Sequence, residues 1–165
     1  MNATAESLPF PRAISVVVDA GLNGALAPVL PAADPAVREG VLEIPGEMAL
    51  YHGGRLSGVR LAWRCVGPAN APVICALGGI SASRRVCRES ERSGDSETRH
   101  RESAGRGWWS DIAGPDRALD THRYRVLSFD YLGGSGDTTG PLPSQSFPSV
   151  SSYDQAELLA RLLNH

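Results

Sequence analysis

The sequence predicts an α/β fold whose mixed sheet opens with an antiparallel N-terminal hairpin and continues with parallel strands. Three observations carry that expectation. Residues 72–77 (PVICAL) form an apolar run without polar alternation, the pattern of a strand in a parallel sheet, and run directly into Gly78-Gly79-Ile80-Ser81. Tyr124 to Asp130 forms a second short, mostly apolar run and empties into a loop with four glycines in the eight residues from Gly133 to Gly140. After Ser152 the apolar residues recur at helical spacing. Strands that end in glycine-rich loops place a site at the carboxyl ends of the sheet.

Length and composition narrow the range of functions. A chain of 165 residues is one domain with room for a core, and a net charge of −2 points away from a nucleic-acid partner. All 16 basic residues are arginine, which excludes a Schiff-base lysine and a P-loop lysine. The three cysteines, Cys65, Cys75 and Cys87, show no C-x-x-C spacing, so a disulfide framework or zinc site is not expected and a reducing, cytoplasmic setting is. No signal peptide and no membrane-spanning run is visible.

In chain order, residues 1–45 are rich in Ala and Pro and read as a partly disordered leader, with Ile14 to Val18 a short strand candidate. Residues 46–165 read as a partial α/β domain. In it, Glu47 to His52 and Gly58 to Val66 are expected to pair as a hairpin around Gly53-Gly54. In the second of these, Val59, Leu61, Trp63 and Cys65 alternate with Arg60 and Arg64, the period of a half-exposed strand. Residues 84–106 carry seven arginines against five acids and no aromatic residue, and read as a solvated charged insertion. Ser152 with Gln155 three residues on reads as a capping box, followed by a face of Tyr153, Ala156, Leu159, Ala160, Leu162 and Leu163.

Candidates for chemistry are few. Gly133-Gly134-Ser135-Gly136-Asp137 falls short of a G-x-S-x-G elbow because Asp137 takes the last position and no helix pattern follows. The loop is therefore expected to position other groups. No histidine among His52, His100, His122 and His165 pairs at helical spacing with another His or Cys, so no metal site is expected. Cys87, beside Arg84, Arg85 and Arg88, is either a thiol of lowered pKa or an exposed thiol in a mobile segment. Trp108 and Trp109 either dock their loop or form a ligand platform. Leu77-Gly78-Gly79-Ile80-Ser81 is the one stretch with a mechanism, since a glycine pair after a buried strand lets backbone N–H groups face a cleft and hold an oxyanion.

Together, L-G-G-I-S at 77–81, G-W-W at 107–109, G-P at 114–115, D-T-H-R-Y-R-V at 120–126 and D-Y-L-G-G-S-G-D-T-T-G-P at 130–141 resemble the homoserine O-acyltransferase family over residues 45–165. The resemblance implies the N-terminal half of an α/β-hydrolase fold. It also implies transfer of an acetyl or succinyl group from acetyl-CoA or succinyl-CoA to the homoserine hydroxyl, a step of methionine biosynthesis. In that comparison the Ile80 backbone N–H is the candidate oxyanion donor. The family's serine, aspartate and histidine fall beyond residue 165, so none is assigned here and the chain is expected to be inactive alone. A C-terminal complementing chain or a homodimer is the expected partner, and the substrate-binding residues stay unassigned. A serine O-acyltransferase or hydrolase fragment, or a non-catalytic binding module, is the alternative.

Overall fold

The computed structural model describes residues 35–79, 82–87, 107–134, 136–143 and 146–165. Along them run the strands β1 (Val37–Glu43), β2 (Glu47–Ala49), β3 (Arg55–Ser57), β4 (Arg60–Val66), β5 (Val73–Cys75), β6 (Ala113–Gly114), β7 (Leu119–Asp120) and β8 (Arg125–Phe129), then the helix α1 (Ser152–Leu163). Ile14 to Val18 and most of the charged insertion lie outside the described residues.

The main sheet has the order β1-β4-β8-β5. β1 and β8 flank β4 and both run antiparallel to it, while β5 runs parallel to β8. The mixed character expected from the sequence is present. The pairing inside it differs in one respect. Gly58 to Val66 does not pair with Glu47 to His52; β4 pairs with β1, and Glu47–Ala49 pairs with Arg55–Ser57 in a separate small hairpin. The turn after β3 is short because Gly58 adopts φ +62°, which sends the chain from the hairpin straight into β4. β1 lies within the stretch read as leader. Its sequence, VREGVLE, hides it: as an edge strand it keeps most of its side chains in water, so no apolar period marks it.

β4 is not half-exposed. From Leu61 to Val66 every residue except Trp63 is buried, because β4 sits between two neighbours and is covered on both faces. Arg64 is only 3% exposed and forms an ion pair with Glu39 on β1. A buried arginine is tolerable only with such a partner. One face of the sheet packs Leu61, Cys65, Leu127 and Phe129 against Met48 of the hairpin and Leu158 and Leu162 of α1. The second core gathers Val66, Ala76 and Val126 with Val86, Cys87 and Ala113. β5 is not the buried strand that its apolar run suggested: it forms the other edge of the sheet, with Val73 and the following Leu77 exposed and Ile74 and Cys75 only half-buried, because one side of an edge strand has no neighbour among the described residues.

The capping box of α1 lies one residue earlier than the sequence reading placed it. Ser151 is the N-cap, and its reciprocal partner is Asp154, not Gln155. The buried stripe is correspondingly Asp154, Leu158 and Leu162, spaced by four, whereas Tyr153 and Leu163 are exposed.

Candidate functional site

β5 and β8 are parallel, so their carboxyl ends open at the same end of the sheet, which is also where β4 begins. Two loops leave that end, and a single carboxylate joins them. Asp130, the residue after β8, is 1% exposed. Its Oδ1 accepts the Arg84 backbone N–H at 2.7 Å, and its Oδ2 accepts the Asp137 backbone N–H at 2.9 Å. The Arg84 guanidinium completes the group, with Nη1 on Asp130 and Nη2 on the Asp137 carboxylate at 2.6 Å. Burial disfavours the Arg84 charge, but the hydrogen bonds and charges of Asp137 and Asp130 outweigh it and hold its pKa above the ordinary value.

Glycine at 136 is required by this arrangement. A Cβ there would sit inside the Asp130 carboxylate. The Thr138 Oγ1 accepts the Ala62 N–H, the Thr139 Oγ1 accepts the Arg60 N–H, each at 2.9 Å, and the Thr139 N–H returns to the Arg60 carbonyl. The loop after β8 is thus tied to the start of β4.

The loop after β5 is held from two sides. The Tyr131 hydroxyl donates to the Gly78 carbonyl at 2.9 Å, and the Ala82 N–H donates to the Gly79 carbonyl, also at 2.9 Å. Trp108 Nε1 donates to the Ser83 carbonyl at 2.8 Å, and its ring lies close enough to Gly78 that a side chain there would be crowded. Trp108 therefore docks its loop onto the loop after β5. Trp109 stacks on it with ring centroids 5.6 Å apart, and both keep an exposed face.

A cleft of about 410 Å³ opens between the start of the glycine loop and the start of α1, lined in part by Tyr131, Gly133, Phe147, Pro148, Ser152 and Gln155. The Gln155 side chain fixes one wall: it donates to the Leu132 carbonyl at 3.0 Å and accepts the Leu132 N–H at 3.1 Å. Asp154, besides capping α1, accepts the Tyr51 N–H at 2.9 Å, and the rings of Tyr51 and Tyr153 stack at 4.3 Å. Hairpin, helix and glycine loop meet at this point.

Ile80, Ser81 and Ser135 lie outside the described residues, so the candidate oxyanion donor has no described geometry; its neighbours Gly79 and Ala82 do. Cys87 corrects both sequence readings. It is 2% exposed, and burial pushes its pKa up to about 11 despite the opposing influence of Arg64. The apolar second core, not the adjacent arginines, sets its environment. Raised above its ordinary 9.0, this pKa favours the folded state fully below pH 9, and the contribution is lost as pH rises through about 11. Cys87 should therefore react with iodoacetamide at pH 8 roughly a hundredfold more slowly than free cysteine. Site-resolved mass spectrometry would reveal it, and labelling at the free-thiol rate would contradict the buried position.

Asp116, Asp120 and His122 bring one potential ligand atom each within 4.8 Å of one another, a grouping that His and Cys spacing alone did not show. The Asp120 Oδ1 already serves the loop, accepting the N–H groups of His122 and Asp116. Missed in the sequence altogether was the Arg84–Asp130–Asp137 cluster. Its one visible signal was a carboxylate closing an apolar strand.

No protein-family model matches the sequence. Curated proteins do. The chain is 33% identical over 132 residues to a homoserine O-acetyltransferase of Methanococcoides burtonii, covering 74% of this chain and 26% of the relative. It is 34% identical over 139 residues to a homoserine O-succinyltransferase of Xanthomonas campestris, covering 81% and 31%. The chain is related to the homoserine O-acyltransferases. It spans about a quarter to a third of the length of these relatives, less than the half that the motifs suggested. A serine O-succinyltransferase of Frateuria aurantia is 32% identical over 121 residues, 70% of this chain and 30% of that one. Among solved structures, the homoserine O-acetyltransferase of Bacillus anthracis superimposes with a TM-score of 0.60 at 20% identity, over 78% of this chain and 36% of that one. Esterase E22 gives 0.61 at 23% identity, over 78% and 37%. At such identities the superpositions speak for the fold alone, and that fold is the α/β-hydrolase type. In this homoserine O-acyltransferase relative, no helix among the described residues is long and apolar enough to cross a membrane.

Proposed function

We propose that these residues form the N-terminal portion of an acyl-CoA-dependent homoserine O-acyltransferase, acting in methionine biosynthesis in the cytoplasm. The observation that carries the reading is the identity of 33–34% with a homoserine O-acetyltransferase and a homoserine O-succinyltransferase over most of the chain. Three free cysteines, two of them buried, suit a reducing compartment.

On this reading the reaction is a two-step acyl transfer. A serine attacks the thioester carbonyl, a histidine oriented by an aspartate takes the serine proton, and the CoA thiol departs with it. The homoserine hydroxyl then attacks the acyl-serine, and the same histidine relays the second proton. The 165 residues would supply the platform. The turn after β5 would present the Ile80 N–H to the developing oxyanion, while the glycine loop shapes the adjoining wall. The nucleophile, base and orienting acid would come from the part of the relatives' length that these residues do not span, supplied by the same polypeptide, a complementing chain or a homodimeric partner.

Release of CoA thiol tests this. The 165 residues alone, given acetyl-CoA or succinyl-CoA and homoserine, are expected to release none above the blank. A polypeptide that joins them to a nucleophile-bearing remainder is expected to turn over. Turnover by the 165 residues alone would overturn the division of labour. The similarity to a serine O-succinyltransferase favours a second acceptor, so serine belongs in the same assay; acylation of serine in preference to homoserine would replace the first reading with that one.

A further inference from the structure

Two consecutive side chains at the carboxyl end of β8 reach the loop after β5, one at each end of its turn. We propose that Asp130 and Tyr131 are positioning residues for the chain on either side of Ile80 and Ser81, holding Gly78 and Arg84, with Asp130 acting both directly and through Arg84. The inference rests on the acyltransferase reading, because that reading gives the turn its task of presenting a backbone N–H. What the two side chains hold is main chain. The Tyr131 hydroxyl holds the Gly78 carbonyl, and the Asp130 Oδ1 holds the Arg84 N–H. Between these anchors the Ala82 N–H closes on the Gly79 carbonyl. An N–H donor can be aimed only by fixing the peptide units around it, so main-chain anchors at both ends of the turn are the type of contact such a donor needs.

Successive residues of an extended chain point to opposite sides, which lets neighbours in sequence grip points six residues apart. The second grip is reinforced by charge. Asp130 is buried and receives three hydrogen bonds, two of them from Arg84. The planar guanidinium spans Asp130 and Asp137 at once, which an ammonium group on a flexible stem does less well. The turn after β5 is thereby fixed relative to the glycine loop, not merely to the sheet.

The test uses Tyr131→Phe, which removes one hydroxyl, and Arg84→Lys, which keeps the charge and loses the fork. Both are made in the polypeptide that joins these residues to the nucleophile-bearing remainder. Hydrogen exchange followed by mass spectrometry is expected to show amides 78–86 exchanging about tenfold faster or more, with β1 and β4 unchanged. Acyl transfer is expected to lose about ten- to a hundredfold in kcat, with KM for acyl-CoA and for the acceptor within about twofold. Unchanged exchange at 78–86 in both variants would overturn the proposal, and so would faster exchange with an unaltered kcat. If the unsubstituted polypeptide transfers no acyl group, the acyltransferase reading falls. The exchange measurement then decides the two anchors by itself, with faster exchange supporting them and unchanged exchange refuting them.

Discussion

Asp130→Ala is expected to destabilise the protein by about 3–5 kcal/mol, the range for removing one partner of a buried ion pair. Asp130 has almost no exposure, and the Arg84 side chain facing it is 15% exposed. Its loss would also leave the N–H groups of Arg84 and Asp137 without their acceptor. The neighbouring carboxylate provides the contrast. Asp137 touches the same guanidinium, but its side chain is 71% exposed, so water can replace it. Asp137→Ala should therefore cost less than about 1 kcal/mol. Urea unfolding of both variants measures the difference directly. Equal losses would mean that the two carboxylates share the load and that burial does not decide it.

Leu158→Ala is expected to cost about 2–5 kcal/mol, and Leu163→Ala, on the same helix, within about 0.5 kcal/mol of nothing. Leu158 is fully buried in the core beneath the sheet, and Leu163 is 47% exposed. Thermal denaturation of the two variants separates the faces of α1. A large loss at Leu163 would place the buried stripe where the apolar residues alone suggest it, and not where Asp154, Leu158 and Leu162 put it.

That contrast shows how far the sequence could be read. Apolar runs that end in glycine announced β5 and β8, and the helical period announced α1. β1 was invisible because an edge strand in water needs no apolar pattern. The partner of β4 was misplaced for a related reason: proximity in sequence favoured the segment at 47–52, whereas the actual partner lies on the far side of the small hairpin. Arg64 read as a solvent-facing residue because its rescuer, Glu39, belongs to that hidden strand. In α1 the stripe shifted because Asp154, a polar residue, occupies a buried position by capping the helix and holding Tyr51.

The site was half legible. The glycine loop and the turn after β5 stood out as places, and the glycine loop is bonded to β4 and Asp130. The cluster that joins them did not stand out. Arg84 is 46 residues from Asp130 and 53 from Asp137, and it opens a stretch of mixed charge, where any single arginine looks like surface.

The two threonines that follow Asp137 change what the glycines beside them mean. Thr139 faces Arg60 with a donor and an acceptor, as a strand residue would, and so prolongs the β4–β8 ladder beyond the end of the strand. A segment this rich in glycine would wander if left to itself, yet it inherits its shape from the sheet. The entropy of ordering its tethered residues is lost once, when the domain folds.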